Sequence, residues 1–175
     1  MKILLHICCA PCSIHPFEDL AKDKVSLSGF FYNPNIHPFQ EYNSRRRALE
    51  EYSASTGMEV FFPEYKPEAY FRKISYNENA PARCRLCWED RMEKTALHAK
   101  DKGFDAFSTT LLISPYQDHA VIREIGEELA AKHGMDFFYR DFRTGFRHSQ
   151  DQARQKQIYR QKYCGCIFSE MERYK

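Results

Sequence analysis

The apolar residues come in short runs that alternate with stretches of helical spacing. The first run, Lys2-Ile3-Leu4-Leu5-His6-Ile7, is nearly continuous and is cut by Cys8-Cys9-Ala10-Pro11-Cys12. Its composition and its abrupt end at a proline predict a fully buried strand that opens into a loop. Ile14, Phe17 and Leu20 recur at helical spacing, which predicts a helix over Ser13 to Lys22. A second strand spans Val25 to Tyr32 and stops at Asn33-Pro34-Asn35-Ile36-His37-Pro38, a loop stiffened by its prolines. Glu41 to Thr56 reads as a helix closed by Gly57, and Met58 to Phe62 as a third strand. Residues 63–81 show no period, and so long an irregular excursion is expected to act as a functional lid. A helix opens at Arg83 and runs to about Lys100, followed by a strand from Phe104 to Leu111. The helix His119 to His133 turns Val121, Ile122, Ile125 and Leu129 inward and stops at Gly134, before a last strand from Met135 to Arg140.

Strands that alternate with helices in this way predict an α/β protein with a parallel, doubly wound sheet. Right-handed crossovers bring the strand-end loops to one rim, where open α/β sheets bind their ligands. With 175 residues, 43% of them hydrophobic, the chain is expected to form a single domain over 1–175. From Asp141 onward it turns polar and basic, with glutamines between Arg143, Arg154, Lys156, Arg160 and Lys162. This segment, 141–175, is expected to pack on the domain as a solvated helix whose basic excess suits a nucleic-acid backbone. The net charge of +2 favours no class of partner, but the 15% aromatic content exceeds what one core hides, so some rings are expected to line a cleft. No stretch approaches the ~20 apolar residues of a membrane span, and no export cleavage site follows the first run. A cytoplasmic protein with no membrane partner is expected.

In that reducing compartment the seven cysteines are expected to be metal ligands or redox groups rather than structural bridges. Cys8, Cys9 and Cys12 end the first strand, beside the N–H groups and positive dipole end of the next helix. Cys84 and Cys87 share one helical face, near Arg83, Arg85 and Arg91. Cys164 and Cys166 flank Gly165 and can close only a small, strained ring, which is easily reduced and suits electron transfer better than stapling. No spacing matches a zinc ribbon or a ferredoxin run. If the first loop and the Cys84 helix share one rim, Cys8, Cys9, Cys84 and Cys87 suffice for one [4Fe-4S] cluster. Cys12 would then hold an additional iron, or complete the cluster in place of Cys8 or Cys9. Arg45-Arg46-Arg47 spreads round its helix and reads as a solvated face, while Thr109, Thr110 and Ser114 read as caps or edge residues.

Taken in order, several stretches carry a resemblance: His6-Ile7-Cys8-Cys9-Ala10-Pro11-Cys12, Tyr32-Asn33-Pro34-Asn35-Ile36, Glu41-Tyr42, Cys84-x-x-Cys87, Thr109-Thr110-Leu111-Leu112, Ser114-Pro115, Asp141-Phe142-Arg143 and Tyr163-Cys164-Gly165-Cys166. Together they resemble the QueH family of epoxyqueuosine reductases along nearly the whole chain. The resemblance implies a HUP fold, the Rossmann-like fold of adenine-nucleotide hydrolases, with the phosphate loop replaced by the cysteine loop. It implies two-electron removal of the epoxide oxygen from epoxyqueuosine in the tRNA anticodon loop, with a separate electron donor. By the same resemblance Cys8, Cys9, Cys84 and Cys87 match the ligands of a [4Fe-4S] cluster, and Cys164 with Cys166 the redox-active pair. Cys12 would serve an additional iron ion in catalysis. Tyr32, Asn33, Asn35 and Arg143, inside the matched stretches, are the expected substrate contacts. His6, His37, Asp118, His119 and Asp141 lie near strand ends and are candidate proton donors. Two competing readings are a structural zinc protein and a metal-free thiol-redox protein, either one acting on or binding RNA.

Overall fold

The most apolar run in the chain forms the centre of the sheet. A computed structural model describes residues 1–175, and in it β1 (Lys2–His6) is buried from Ile3 onward. Four more strands follow in chain order: β2 (Ser26–Phe30), β3 (Val60–Phe61), β4 (Ala106–Thr109) and β5 (Asp136–Phe137). They lie in the order β3-β2-β1-β4-β5, and every pair is parallel. The order reverses beside β1, so the loops leaving β1 and β4 diverge and open a crevice at the strands' carboxyl ends. His6, the last residue of β1, stands level with Phe30 on one side and Thr109 on the other.

Period-two alternation along β1 builds both halves of the core. Leu4 faces the layer formed with α4 (Ala82–Asp101) and α5 (His119–His133), among Met92, Ala96, Ile122 and Ile125. Leu5 and Ile7 face the layer formed with α1 (Ala10–Lys22) and α2 (Phe39–Thr56), among Ile14, Leu49 and Tyr52. α2 and α5 end at Gly57 and Gly134, whose positive φ angles of 72° and 62° satisfy the left-handed stop that glycine makes easy. No helix is long and apolar enough to cross a membrane.

Several elements differ from the sequence-based expectation. α1 starts at Ala10, not Ser13, because Pro11 fits the first turn, where its missing N–H is no loss. Cys12 therefore rides on the helix itself. The aperiodic stretch 63–81 contains a short helix, α3 (Pro67–Ile74), whose Tyr70 and Ile74 bury one turn apart. Only two of its eight residues face inward, too few to register as a period. β4 stops at Thr109, whose hydroxyl accepts from the Leu111 N–H and turns the chain into a tight 3-10 turn over Thr110–Ile113. The basic segment forms α6 (Phe146–Gln155), a strap, and α7 (Ile167–Tyr174). α6 lies on α1, where Ser149 Oγ accepts from the His15 N–H at 3.0 Å and His148 meets Glu18 at 2.7 Å.

Gly145, at the start of α6, allows that contact. A Cβ there would fall 1.9 Å from His15 Cγ, while its φ of −91° is open to any residue, so the obstacle is steric alone. Gly145→Ala is predicted to destabilise the fold by about 1–3 kcal/mol, the usual cost of overpacking, seen as a lower urea midpoint at unchanged m-value.

Candidate active site

The crevice beside β1 holds sulfur. Ile7 ends the buried run and α1 begins at Ala10, so Cys8, Cys9 and Cys12 crowd one turn of backbone and their Sγ atoms lie within 4.8 Å of one another. Thr110, from the facing β4 loop, accepts from the Cys8 N–H at 3.2 Å and donates to Cys8 Sγ at 3.4 Å. Hydrogen bonds from Cys12 and Cys9 hold the Cys8 thiol well below the usual range, with the Arg91 charge adding to them. Burial pushes Cys9 up, and the contact with Cys8 pushes Cys12 up. The loop thus favours an anion on Cys8 over one on either neighbouring sulfur.

α4 supplies the other wall. Its Arg91 is 2% exposed and reaches three neutral partners: Asn33 Oδ1 at 3.1 Å, His6 Nε2 at 3.4 Å and Cys87 Sγ at 3.7 Å. None of its neighbours within ion-pair distance is a carboxylate. His6 is itself tied to Thr109 Oγ1 at 3.0 Å and to the Tyr32 carbonyl at 3.1 Å. Burial, with Arg91 beside it, holds its imidazole down to about 3, so it stays neutral. One helical turn before Arg91, Cys87 packs with Tyr70, Ile74 and Cys166 in a small apolar cluster, and burial pushes its thiol up to about 12. Cys84 is half-buried on the same face.

The strap carrying Cys164 and Cys166 is fixed by its backbone. Arg45 was expected on a solvated face, but its side chain is 1% exposed. It donates through Nη1 to the Cys164 carbonyl at 2.9 Å and through Nη2 to the Tyr163 carbonyl at 3.0 Å. Nε bonds Glu41 at 2.7 Å, and Glu41 accepts in turn from the Tyr159 hydroxyl. Arg46 and Arg47 keep the outward positions. The His37 N–H donates to the Gly165 carbonyl at 2.8 Å. Cys166 caps α7 by accepting from the Ser169 N–H at 3.3 Å. All seven cysteines are free, with Cys164 exposed and Cys166 buried.

Between these walls lies a cavity of about 370 Å³, lined by Cys8, Cys12, Arg91, Thr110, Gln117, Gln161 and Cys164 among others. Gln161 Nε2 approaches Cys12 Sγ at 3.7 Å, and Gln117 Nε2 approaches Cys164 Sγ at 3.8 Å. No histidine or carboxylate lines it. Of the candidate proton donors, His6 is buried behind Arg91 and Asp118 caps α5. His119 sits 3.1 Å from the Ser114 carbonyl, Asp141 is paired with Arg143, and His37 stacks on Phe71 at 4.8 Å.

The four residues expected to touch substrate lie outside that lining. Tyr32 donates to Asp90 at 3.2 Å, and Asn33 is buried between the Ile7 carbonyl and Arg91. Asn35 is buried beneath Gly165, and Arg143 holds Asp141 at 2.8 Å on the surface. Thr110 was read from sequence as a cap or edge residue, whereas it bonds Cys8, and the cavity glutamines did not stand out. For Gln161 the signal was its place three residues before Cys164, in a segment that otherwise read as a solvated helix.

A parallel sheet of this order, with thiols in the first strand-end loop, defines a HUP-like, Rossmann-like α/β protein built around a cysteine centre. Its backbone is similar to a solved chain titled as a predicted subunit of tRNA methyltransferase from Methanocaldococcus jannaschii. The TM-score is 0.61 over 88% of this chain and 74% of that one; at 10% sequence identity the likeness is one of fold. The family model for epoxyqueuosine reductase QueH matches residues 3–172. The epoxyqueuosine reductase QueH of Dehalococcoides mccartyi is 40% identical over 174 residues, 99% of this chain and 94% of that protein. The protein of the same name from Thermotoga maritima is 36% identical over 98% of this chain and 91% of its own length. For that of Streptococcus pyogenes the figures are 36%, 96% and 70%. The chain belongs to the epoxyqueuosine reductase QueH family and is, as its members are named, a reductase.

Arg45 and Glu41 are a buried pair that also carries the strap. Arg45→Met is predicted to cost about 3–5 kcal/mol, because it leaves Glu41 unpaired, and to speed alkylation of Cys164 by freeing its backbone. Denaturant unfolding and timed iodoacetamide labelling read the two effects.

Proposed function

We propose that this protein converts epoxyqueuosine to queuosine in the anticodon loop of cytoplasmic tRNA, and that the thiol-lined cavity is its reaction site. The observation that carries the reading is that Cys8, Cys12 and Cys164 face one space with a buried arginine and no carboxylate or histidine. Such a space is the size of a small-molecule site and holds redox groups in place of the usual acid–base pair. Family membership supports the substrate.

Removing an epoxide oxygen as water requires two electrons and two protons. A dithiol supplies both: the epoxide and the Cys164 and Cys166 thiols give the alkene, water and a disulfide, with both thiol protons leaving in the water. Burial pushes the Cys164 thiol up, which favours its keeping the proton. A separate reductant then returns the disulfide to the dithiol. Cys164, exposed to the cavity, is the sulfur that meets the substrate side, and Cys166 closes the ring from its place at the head of α7.

A [4Fe-4S] cluster is assigned to Cys8, Cys9, Cys84 and Cys87, with Cys12 beside an additional iron. The donor set fits a soft metal centre: three thiols gather within 4.8 Å, and Cys87 stands across from them at Arg91. Arg91 supports the fit, because a buried guanidinium with no carboxylate calls for anionic sulfur beside it. When bound, such a centre passes electrons singly and, through an iron with an open position, polarises an oxygen. The chain's own part is to exclude water, hold Cys164 and Cys12 against Gln117 and Gln161, and keep the strap fixed through Arg45.

Protein purified without oxygen is predicted to be brown, with about four sulfides and about four to five irons per chain, and to convert epoxyqueuosine-containing tRNA. Cys8→Ala should lose most of that iron and sulfide. Cys164→Ser should keep both and lose turnover. A colourless protein holding about one zinc and no sulfide would overturn the cluster assignment in favour of a closed zinc site.

A further inference from the structure

The rim of the cavity carries groups that the fold does not use. Tyr116, in the turn before α5, is 84% exposed, and its ring meets Phe146 of α6 edge-on at 6.0 Å and 85°. Both rings line the mouth of the cavity. Beside them Gln150 lines the same space and its side chain has no protein hydrogen bond, although it lies one residue after Ser149, which is buried and bonded to α1. Lys162 and Arg173 complete the mouth, and neither is paired with a carboxylate. Their charges are open to an anion, unlike those of Arg85, Arg123, Arg140 and Arg143, which are tied to acidic neighbours.

An exposed ring standing upright at a mouth, an unbonded amide and two free cations match the parts of a nucleotide. Aromatic faces stack bases, lysine and arginine meet phosphates, and an amide reads a base edge. A glutamine side chain presents an N–H donor next to a carbonyl acceptor. It pairs with a base edge that sets an acceptor beside a donor, and the O6 and N1–H of guanine and of the 7-deazaguanine ring of epoxyqueuosine form such an edge. We propose that Tyr116 is the stacking platform for the splayed-out epoxyqueuosine base and that Gln150 reads its guanine-like edge, with Lys162 and Arg173 on the flanking phosphates. This rests on the reading of the cavity as the reductase site and says how that site selects its base. Phe146 packs edge-on against the Tyr116 ring, and Cys8, Cys12 and Cys164 line the same cavity.

The test is steady-state turnover of an epoxyqueuosine-containing anticodon stem-loop by anaerobically purified holoenzyme, with iron and thiol content checked for each variant. Tyr116→Ala is expected to raise KM about tenfold with kcat within about twofold, and Tyr116→Phe, which keeps the ring, to recover most of that loss. Gln150→Leu, which keeps the bulk without the amide, is expected to raise KM about tenfold as well. Tyr116 is exposed, so its replacement leaves the core untouched, and a thermal melt equal to that of the unaltered protein shows it. A KM within twofold of the unaltered enzyme for either variant overturns the role given to that residue while the reductase reading stands. A fall in kcat at unchanged KM overturns the proposal in the same way. Unaltered holoenzyme that fails to turn the stem-loop over overturns the base-reading proposal and the reductase reading together.

Discussion

A buried positive charge without a carboxylate to answer it sits at the centre of this molecule. Arg91 lies between the end of β1 and the α4 cysteines, and its guanidinium has Asn33, His6 and Cys87 as its hydrogen-bond partners. Removing such a charge from water costs several kcal/mol unless another charge comes with it. His6 cannot supply one, since an imidazole is either neutral or cationic, so the partner able to become an anion within reach is sulfur. Cys8 is the thiol that responds, drawn toward thiolate partly by the Arg91 charge. The sheet, the first loop and α4 thus converge on a point whose electrostatics are complete only when sulfur there is anionic, which is the condition for thiolate metal chemistry.

The second buried arginine shows the contrast. Arg45 has its carboxylate, Glu41, one helical turn away at 2.7 Å, and its remaining N–H groups go to backbone carbonyls of the strap. Its charge is satisfied within the protein, and its role is to fix geometry. The strap must be fixed in this way because it buries little of its own: Cys164 is exposed, and α7 beyond it has no buried residue. Backbone hydrogen bonds hold the strap where apolar packing does not, and they leave the sulfur of Cys164 free to move while its main chain stays in place. Such a division suits a residue that must change bonding partner during a reaction without the loop around it refolding.

The parts of this arrangement legible in sequence were those that repeat. The alternation of apolar runs and helical spacing located all five strands and the long helices, because burial on two faces leaves a periodic trace. Cysteines are few and chemically distinctive, so the three groups were visible at once. Short elements escaped: α3 buries only Tyr70 and Ile74, and the two-residue edge strands keep less than their apolar flanks suggested because each has one neighbour. Arg45 was misplaced for a different reason. Three adjacent arginines point in three directions, and sequence does not say which of them meets a strap arriving about 120 residues later. The cavity glutamines were hidden by the same distance, since Gln117 and Gln161 become neighbours of sulfur only through the closure of the chain.

The asymmetry of the Cys164 and Cys166 pair links the strap to the direction of chemistry. One sulfur looks into the cavity, and the other is the cap of α7, packed against Tyr70, Ile74 and Cys87. A ring closed between them would have to draw one sulfur toward the other while Arg45 and His37 keep the intervening carbonyls in place. Because the backbone is held, the cavity-facing sulfur is the one with freedom to travel. Leaving its resting position, it gives up only the weak contact with Gln117 at 3.8 Å, whereas Cys166 would give up its cap and its apolar packing. Under the proposed dithiol reaction, the first sulfur to react is that of Cys164, which lines the cavity, and the second is that of Cys166, which packs beside Cys87.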